Sequence, residues 1–121
     1  MAGPGVAGAF RIQAMEISLI IRTGPDNDSR ISLAMGFITA AIEQGHSIRQ
    51  CFFQSEAVLS AVQVSRVSEW QRVADQTGAE LLLCSQAAET HKVSAAAPFQ
   101  IGGLGALVEA AVRSDRVVSF V

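Results

Sequence analysis

The strongest constraint on the fold is a set of short apolar runs that do not alternate. Residues 15–22 read MEISLIIR, a compact run rich in isoleucine, and residues 80–84 read ELLLC, three leucines running into a cysteine. A strand with one wet face alternates apolar and polar residues, whereas a strand buried on both faces reads as a near-continuous apolar run, as in parallel sheets. Each run is followed by turn chemistry or a helix-like stretch, and strands alternating with helices define a three-layer α/β domain. The expected architecture is a mostly parallel sheet of about five strands flanked by helices. At 121 residues the chain fits one domain with a real core.

In order, the first strand ends in Thr23-Gly24-Pro25-Asp26-Asn27-Asp28, all turn-forming types. Asp28 or Ser29 can cap a helix over about residues 29–44, which Gly45 stops. The second strand, from His46, ends in Cys51-Phe52-Phe53. A short helix from Gln54 to about Ala61 and another over about 65–77 follow; the latter carries Val67, Trp70, Val73 and Ala74 at helical spacing, and Gly78 ends it. Glu80 to Cys84 is the third strand, and Ser85 to His91 a short helix. Residues 92–98 are Ala-rich and broken by Pro98. The glycine-rich segment from Phe99 to Gly105 leads into a helix over about 104–114, with Leu107, Val108, Ala111 and Val112 expected to face inward. Residues 116–121 (RVVSFV) form a last strand. Residues 1–14 lack the basic start of a secretory signal and read as a flexible leader, and residues 15–121 as the domain.

Composition excludes several functions. A net charge of −2 supplies no basic footprint for nucleic acid. No segment has the roughly 18 consecutive apolar residues of a membrane span. Two cysteines, far apart, are too few for a disulfide scaffold, and no Cys/His spacing suggests zinc. Reduced thiols in the cytoplasm are the simplest reading. Half the residues are hydrophobic and only 17% are charged, so part of the surface is expected to be buried against other subunits.

In open α/β sheets, ligands bind beyond the carboxyl ends of the strands. Thr23–Asp28, Phe53–Glu56, Cys84–Ala87 and the glycine-rich 101–105 segment reach that edge. Cys84 is the intrinsic nucleophile among them, and a helix starting at Ser85 would offer free backbone N–H groups to a thiolate or a persulfide anion. A thiol that only exchanges sulfur needs no general base if its pKa is already low. Cys51, beside two phenylalanines, reads as core, and Trp70 as core or a subunit contact. His46 and His91 read as isolated and solvent-facing. Gly102, Gly103 and Gly105 lack the spacing of a dinucleotide or P-loop fingerprint and read as close packing or a tight turn. Thr23 to Ser29 could hold an anion at a helix start, which leaves a small anion- or nucleotide-binding module as an alternative function.

Several motifs recur together in one family. They are Thr23-Gly24-Pro25 after the first strand, Gly45-His46 leading to Cys51-Phe52-Phe53, Glu56-Ala57-Val58 and Trp70-Gln71. Leu83-Cys84, Phe99 with the 103–110 run GLGALVEA, and the closing 115–120 run DRVVSF complete the set. In their order and spacing the chain resembles the DsrE/TusD family of small sulfur-relay proteins, across nearly the whole of residues 15–121. The resemblance implies a sulfurtransferase, with Cys84 as the site residue carrying a persulfide and no cofactor or metal. It implies a hexamer of related DsrE-family subunits, and a DsrC/TusE-type sulfur carrier as downstream partner. It places the chain in tRNA 2-thiouridine synthesis or dissimilatory sulfur oxidation, with no direct contact to nucleic acid. Some relatives lack the cysteine and are structural, so a non-catalytic subunit is the alternative within the family. The segment from Ser85 to Pro98 is shorter than in typical members.

Overall fold

The computed structural model describes residues 13–121, so the leader expected over residues 1–14 lies, but for its last two residues, outside the described part. The elements are β1 (Glu16–Ile21), α1 (Asp28–Glu43), β2 (Ser47–Phe53), a 3₁₀ helix (Ser55–Val62), α2 (Val64–Thr77), β3 (Glu80–Cys84), α3 (Ser85–His91), β4 (Phe99–Gly102), α4 (Leu104–Arg113) and β5 (Arg116–Phe120). The five strands form one sheet in the order β4-β3-β2-β1-β5, every pair parallel. The α/β expectation is therefore met. The fifth strand is β4, in the segment expected only as a glycine-rich turn; four residues with two glycines close behind give no strand-length apolar signal.

β1, β2 and β3 lie inside the sheet, which is why their sequences are nearly continuous in apolar residues. On one face Leu19, Ile21, Cys51, Phe53, Leu81, Leu83 and Phe99 pack with Ala34, Ile38 and Ala41 of α1, Trp70 and Val73 of α2, and Ala88 of α3. Phe53 is the hub: its ring meets Trp70 at 4.8 Å and Phe99 at 5.4 Å, both edge-to-face. Trp70 and Cys51 are fully buried, as the sequence suggested. The buried residues of α1, Ile31, Ala34, Ile38 and Ala41, follow helical spacing.

Helix ends follow local chemistry. The cap of α1 is Asn27 and not the expected Asp28 or Ser29: its side-chain oxygen accepts from the Arg30 amide at 3.2 Å and from the Ser29 hydroxyl at 3.1 Å. Gly45 (φ 87°) and Gly78 (φ 71°) end α1 and α2 in the left-handed region, where a side chain would be strained.

α4 departs from the sequence expectation. Val108 and Val112 are 60% and 79% exposed, Ala111 is exposed too, and the residue buried on the sheet is Ala110. Its apolar residues do gather on one face, opposite Glu109 and Arg113, but most of that face is left uncovered. Leu107, also expected inward, is half-buried, while Leu104, Val108 and Val112 are left exposed.

Candidate functional site

The connections from β1 to β4 step across the sheet in one direction, and the link from β4 to β5 returns over it. Right-handed crossovers then put α1, α2 and α3 on one face and α4 on the other. The packing agrees: the core cluster takes residues from the first three helices and none from α4. The chain therefore diverges to opposite faces beyond the carboxyl ends of β3 and β4, the place where such sheets form a crevice.

Cys84 stands at that point. It is the last residue of β3 and the residue that caps α3, with φ −55° and ψ 124°. It is half-buried and not disulfide-bonded, and its Sγ makes no capping hydrogen bond to α3. The short α3 is anchored to the core by Ala88 and packs against the 3₁₀ helix. That packing brings the corner after β2 next to Cys84. The corner is pinned where the Gln54 amide donates to the Ile21 carbonyl at 2.9 Å, and it turns through Ser55 at φ 55°, a left-handed conformation that costs a non-glycine residue about 1–2 kcal/mol.

The result is a hollow of about 390 Å³ lined by Gln54, Ser55, Cys84, Gln86, Ala87, Thr90, His91 and Leu104. A second of about 440 Å³ is lined by Cys84, Ser85, Gln86, Glu89 and Leu104. Three of the four segments expected at the carboxyl edge thus meet at Cys84: residues 53–56, 84–87 and the start of α4. His91, set aside in the sequence as solvent-facing, is half-buried and lines the first hollow; two turns of α3 carry it there, a placement invisible without knowing that α3 folds against the 3₁₀ helix.

The fourth segment is separate. Residues 24–29 line a different hollow of about 530 Å³ with Glu56 and Leu59. Its walls include Asp26, Asp28 and Glu56, a set that repels phosphate and leaves the anion-module alternative without electrostatic support. Arg66 braces this loop from behind: its Nε donates to the Pro25 carbonyl at 2.8 Å and its guanidinium pairs with Asp28 and Glu69. Those partners, first the hydrogen bond with Glu69, hold the guanidinium pKa above its ordinary value. At the opposite end of the strands an apolar hollow of about 290 Å³, lined by Met15, Phe37, His46 and Val118 among others, holds no nucleophile. There His46 Nδ1 accepts from the Met15 amide at 3.0 Å.

The other thiol, Cys51, is fully buried in β2, and burial pushes its pKa up to about 12. The two cysteines are thus sorted by position, one as packing and one at the crevice. Among the described residues no group of three or more His, Cys, Asp or Glu could hold a metal ion. No described helix is long and apolar enough to cross a membrane.

A parallel five-stranded α/β domain with one half-buried thiol where β3 and the edge strand β4 diverge defines a class of thiol-bearing α/β proteins. Residues 15–120 match the DsrE/DsrF-like family, and the chain belongs to it. It is 34% identical to the sulfurtransferase TusD of Cronobacter sakazakii, over 88% of this chain and 100% of that one. It is 36% identical to the sulfurtransferase TusD of Erwinia tasmaniensis, over 81% and 94%, and 29% identical to DsrE of Allochromatium vinosum, over 88% and 98%. The crystal structure of the ychN protein from E. coli has the same fold, with a TM-score of 0.73 over 90% of this chain and 100% of that one, at 16% identity.

Proposed function

We propose that this chain is a sulfurtransferase subunit of a sulfur relay, with Cys84 as the residue that carries the sulfur. The observation that carries the reading is the position of Cys84: a half-buried thiol at the carboxyl edge of the sheet, open to two hollows, in a chain whose relatives are named sulfurtransferases. The Cys84 thiolate attacks the outer sulfur of a donor persulfide, R–S–SH. The Sγ–S bond forms, the donor S–S bond breaks, and the donor leaves as a thiolate with the electron pair. Cys84 persulfide then gives up the same outer sulfur to an acceptor thiolate, and Cys84 returns as thiolate. No net oxidant is needed, because each step exchanges one S–S bond for another.

The acceptor in this reading is a DsrC/TusE-type carrier, in tRNA 2-thiouridine synthesis or dissimilatory sulfur oxidation. The setting is the cytoplasm, where thiols stay reduced. The chain works in a hexamer with related DsrE-type subunits. Support for assembly comes from α4, where Leu104, Val108 and Val112 form an exposed apolar stripe at four-residue spacing, with Val117 of β5 also exposed. Transfer of radiolabelled sulfane sulfur tests the function. The wild-type chain and Cys51→Ser are expected to take up label and pass it to the carrier; uptake by Cys84→Ser at the wild-type level would remove the reading.

A further inference from the structure

Cys84 faces two hollows of unlike chemistry. The first offers the amide of Gln54, the hydroxyls of Ser55 and Thr90, and the imidazole of His91, with no carboxylate in its wall. The second is bounded by Ser85 and by Glu89, the one carboxylate that borders Cys84 in either hollow. Gln86 and Leu104 line both.

Sulfur exchange places a specific demand on such a site. Displacement at a divalent sulfur runs with the three sulfur atoms nearly in line. The thiolate that leaves during loading and the thiolate that attacks during unloading therefore stand in the same place, beyond the outer sulfur. Both bear negative charge as the S–S bond is exchanged. Hydroxyl and amide donors around that place stabilise the charge, and a carboxylate beside it raises the barrier.

We propose that the hollow bounded by Gln54, Ser55, Thr90 and His91 is the subsite that receives the thiolate of both donor and acceptor, and that the Glu89 hollow is not used. The inference rests on the reading of Cys84 as a sulfur carrier and adds to it a direction of approach and a ligand class: thiols and persulfides whose flanking group is neutral or anionic. Loading places the donor there, its S–S bond breaks, and its thiolate departs by the same route that the acceptor later enters.

The test moves one charge at a time. Thr90 and Glu89 are both exposed on α3, so Thr90→Glu and Glu89→Gln leave the fold intact. Each chain is loaded on Cys84 with a small persulfide and discharged with 2-mercaptoethanesulfonate or with neutral 2-mercaptoethanol, and the ratio of the two second-order rate constants is read. Thr90→Glu is expected to lower the anionic-to-neutral ratio about fivefold at low ionic strength, an effect that salt collapses, while Glu89→Gln changes it by less than about twofold. A several-fold rise in Glu89→Gln with no change in Thr90→Glu overturns the assignment, because anionic thiols would then enter by the second hollow. Equal responses in both variants, or none in either, overturn it too. Normal loading with the wrong ratios removes only the subsite, whereas a wild-type chain that takes up no sulfur on Cys84 removes the carrier reading with it.

Discussion

Cys84 and Gly102 stand in register at the carboxyl ends of the neighbouring strands β3 and β4. From Cys84 the chain runs into α3 over the main core, and beyond Gly102 it runs into α4 on the opposite face. The thiol therefore lies where two connections part, and the space between them is left for a ligand. The glycine is needed there. A Cβ at residue 102 would lie 2.8 Å from Leu82 Cδ1 and 3.1 Å from Leu82 Cβ, on the strand that ends in Cys84.

Gly102→Val is accordingly expected to destabilise the chain by about 1–3 kcal/mol, the usual range for overpacking. Chemical denaturation measures it. Adding Leu82→Ala to that variant is expected to restore part of the loss, since the two residues are in contact and their effects do not add. Full additivity would mean that the approach to Leu82 is not the cause.

The two thiols are expected to behave differently in the native protein. At pH 8 to 9 an alkylating reagent is expected to label Cys84, and to reach Cys51 only after unfolding, because Cys51 has no exposed surface. Peptide mapping of the labelled chain checks this. Rapid native labelling of Cys51 would contradict the packing of β2.

Stability should also carry the mark of Cys51. Its folded pKa of about 12 lies above the roughly 8.5 of an unfolded cysteine. The native chain thus holds a proton that the unfolded chain has lost between those values. The contribution is fully present below about pH 8.5 and declines as pH rises from there towards about 12. Replacing Cys51 by valine is expected to make the fall in stability above pH 8.5 shallower, measured by denaturant midpoints across that range. An unchanged alkaline slope would show that other groups dominate it.

The outward face of α4 is where assembly should be most sensitive. Val112→Glu changes a side chain that is 79% exposed, so the stability of the single chain is expected to move by no more than about 0.5 kcal/mol. If the stripe is a subunit contact, sedimentation velocity is expected to show smaller species for this variant than for wild type. Identical assembly in both would locate the contacts elsewhere.

Much of this arrangement was legible in the residues, and the misses share a cause. β1 and β3 are visible because strands paired on both sides need apolar residues on both faces, and α1 and α2 because their glycines and spacing are local signals. The start of α3 at Ser85 and the placement of Cys84 at a strand end were readable for the same reason. β4 was missed because an edge strand of four residues carries little pattern. The orientation of α4 was misjudged because its burial depends on what covers it: Ala110 goes in and Val108 and Val112 stay out. Residues 53–56 were expected at this edge, but His91 reaches the Cys84 hollow only through the packing of α3 on the 3₁₀ helix, a contact between segments about 30 residues apart that local spacing does not encode.

The most direct measurement is the mass of the Cys84 peptide after the intact chain has been incubated with a persulfide donor and digested without reductant. The expected result is a gain of about 32 Da, one sulfur atom, on that peptide, absent from the Cys51 peptide and lost on addition of an acceptor thiol. A Cys84 peptide of unchanged mass, or added sulfur found on Cys51 instead, would contradict the assignment of Cys84 as the sulfur carrier.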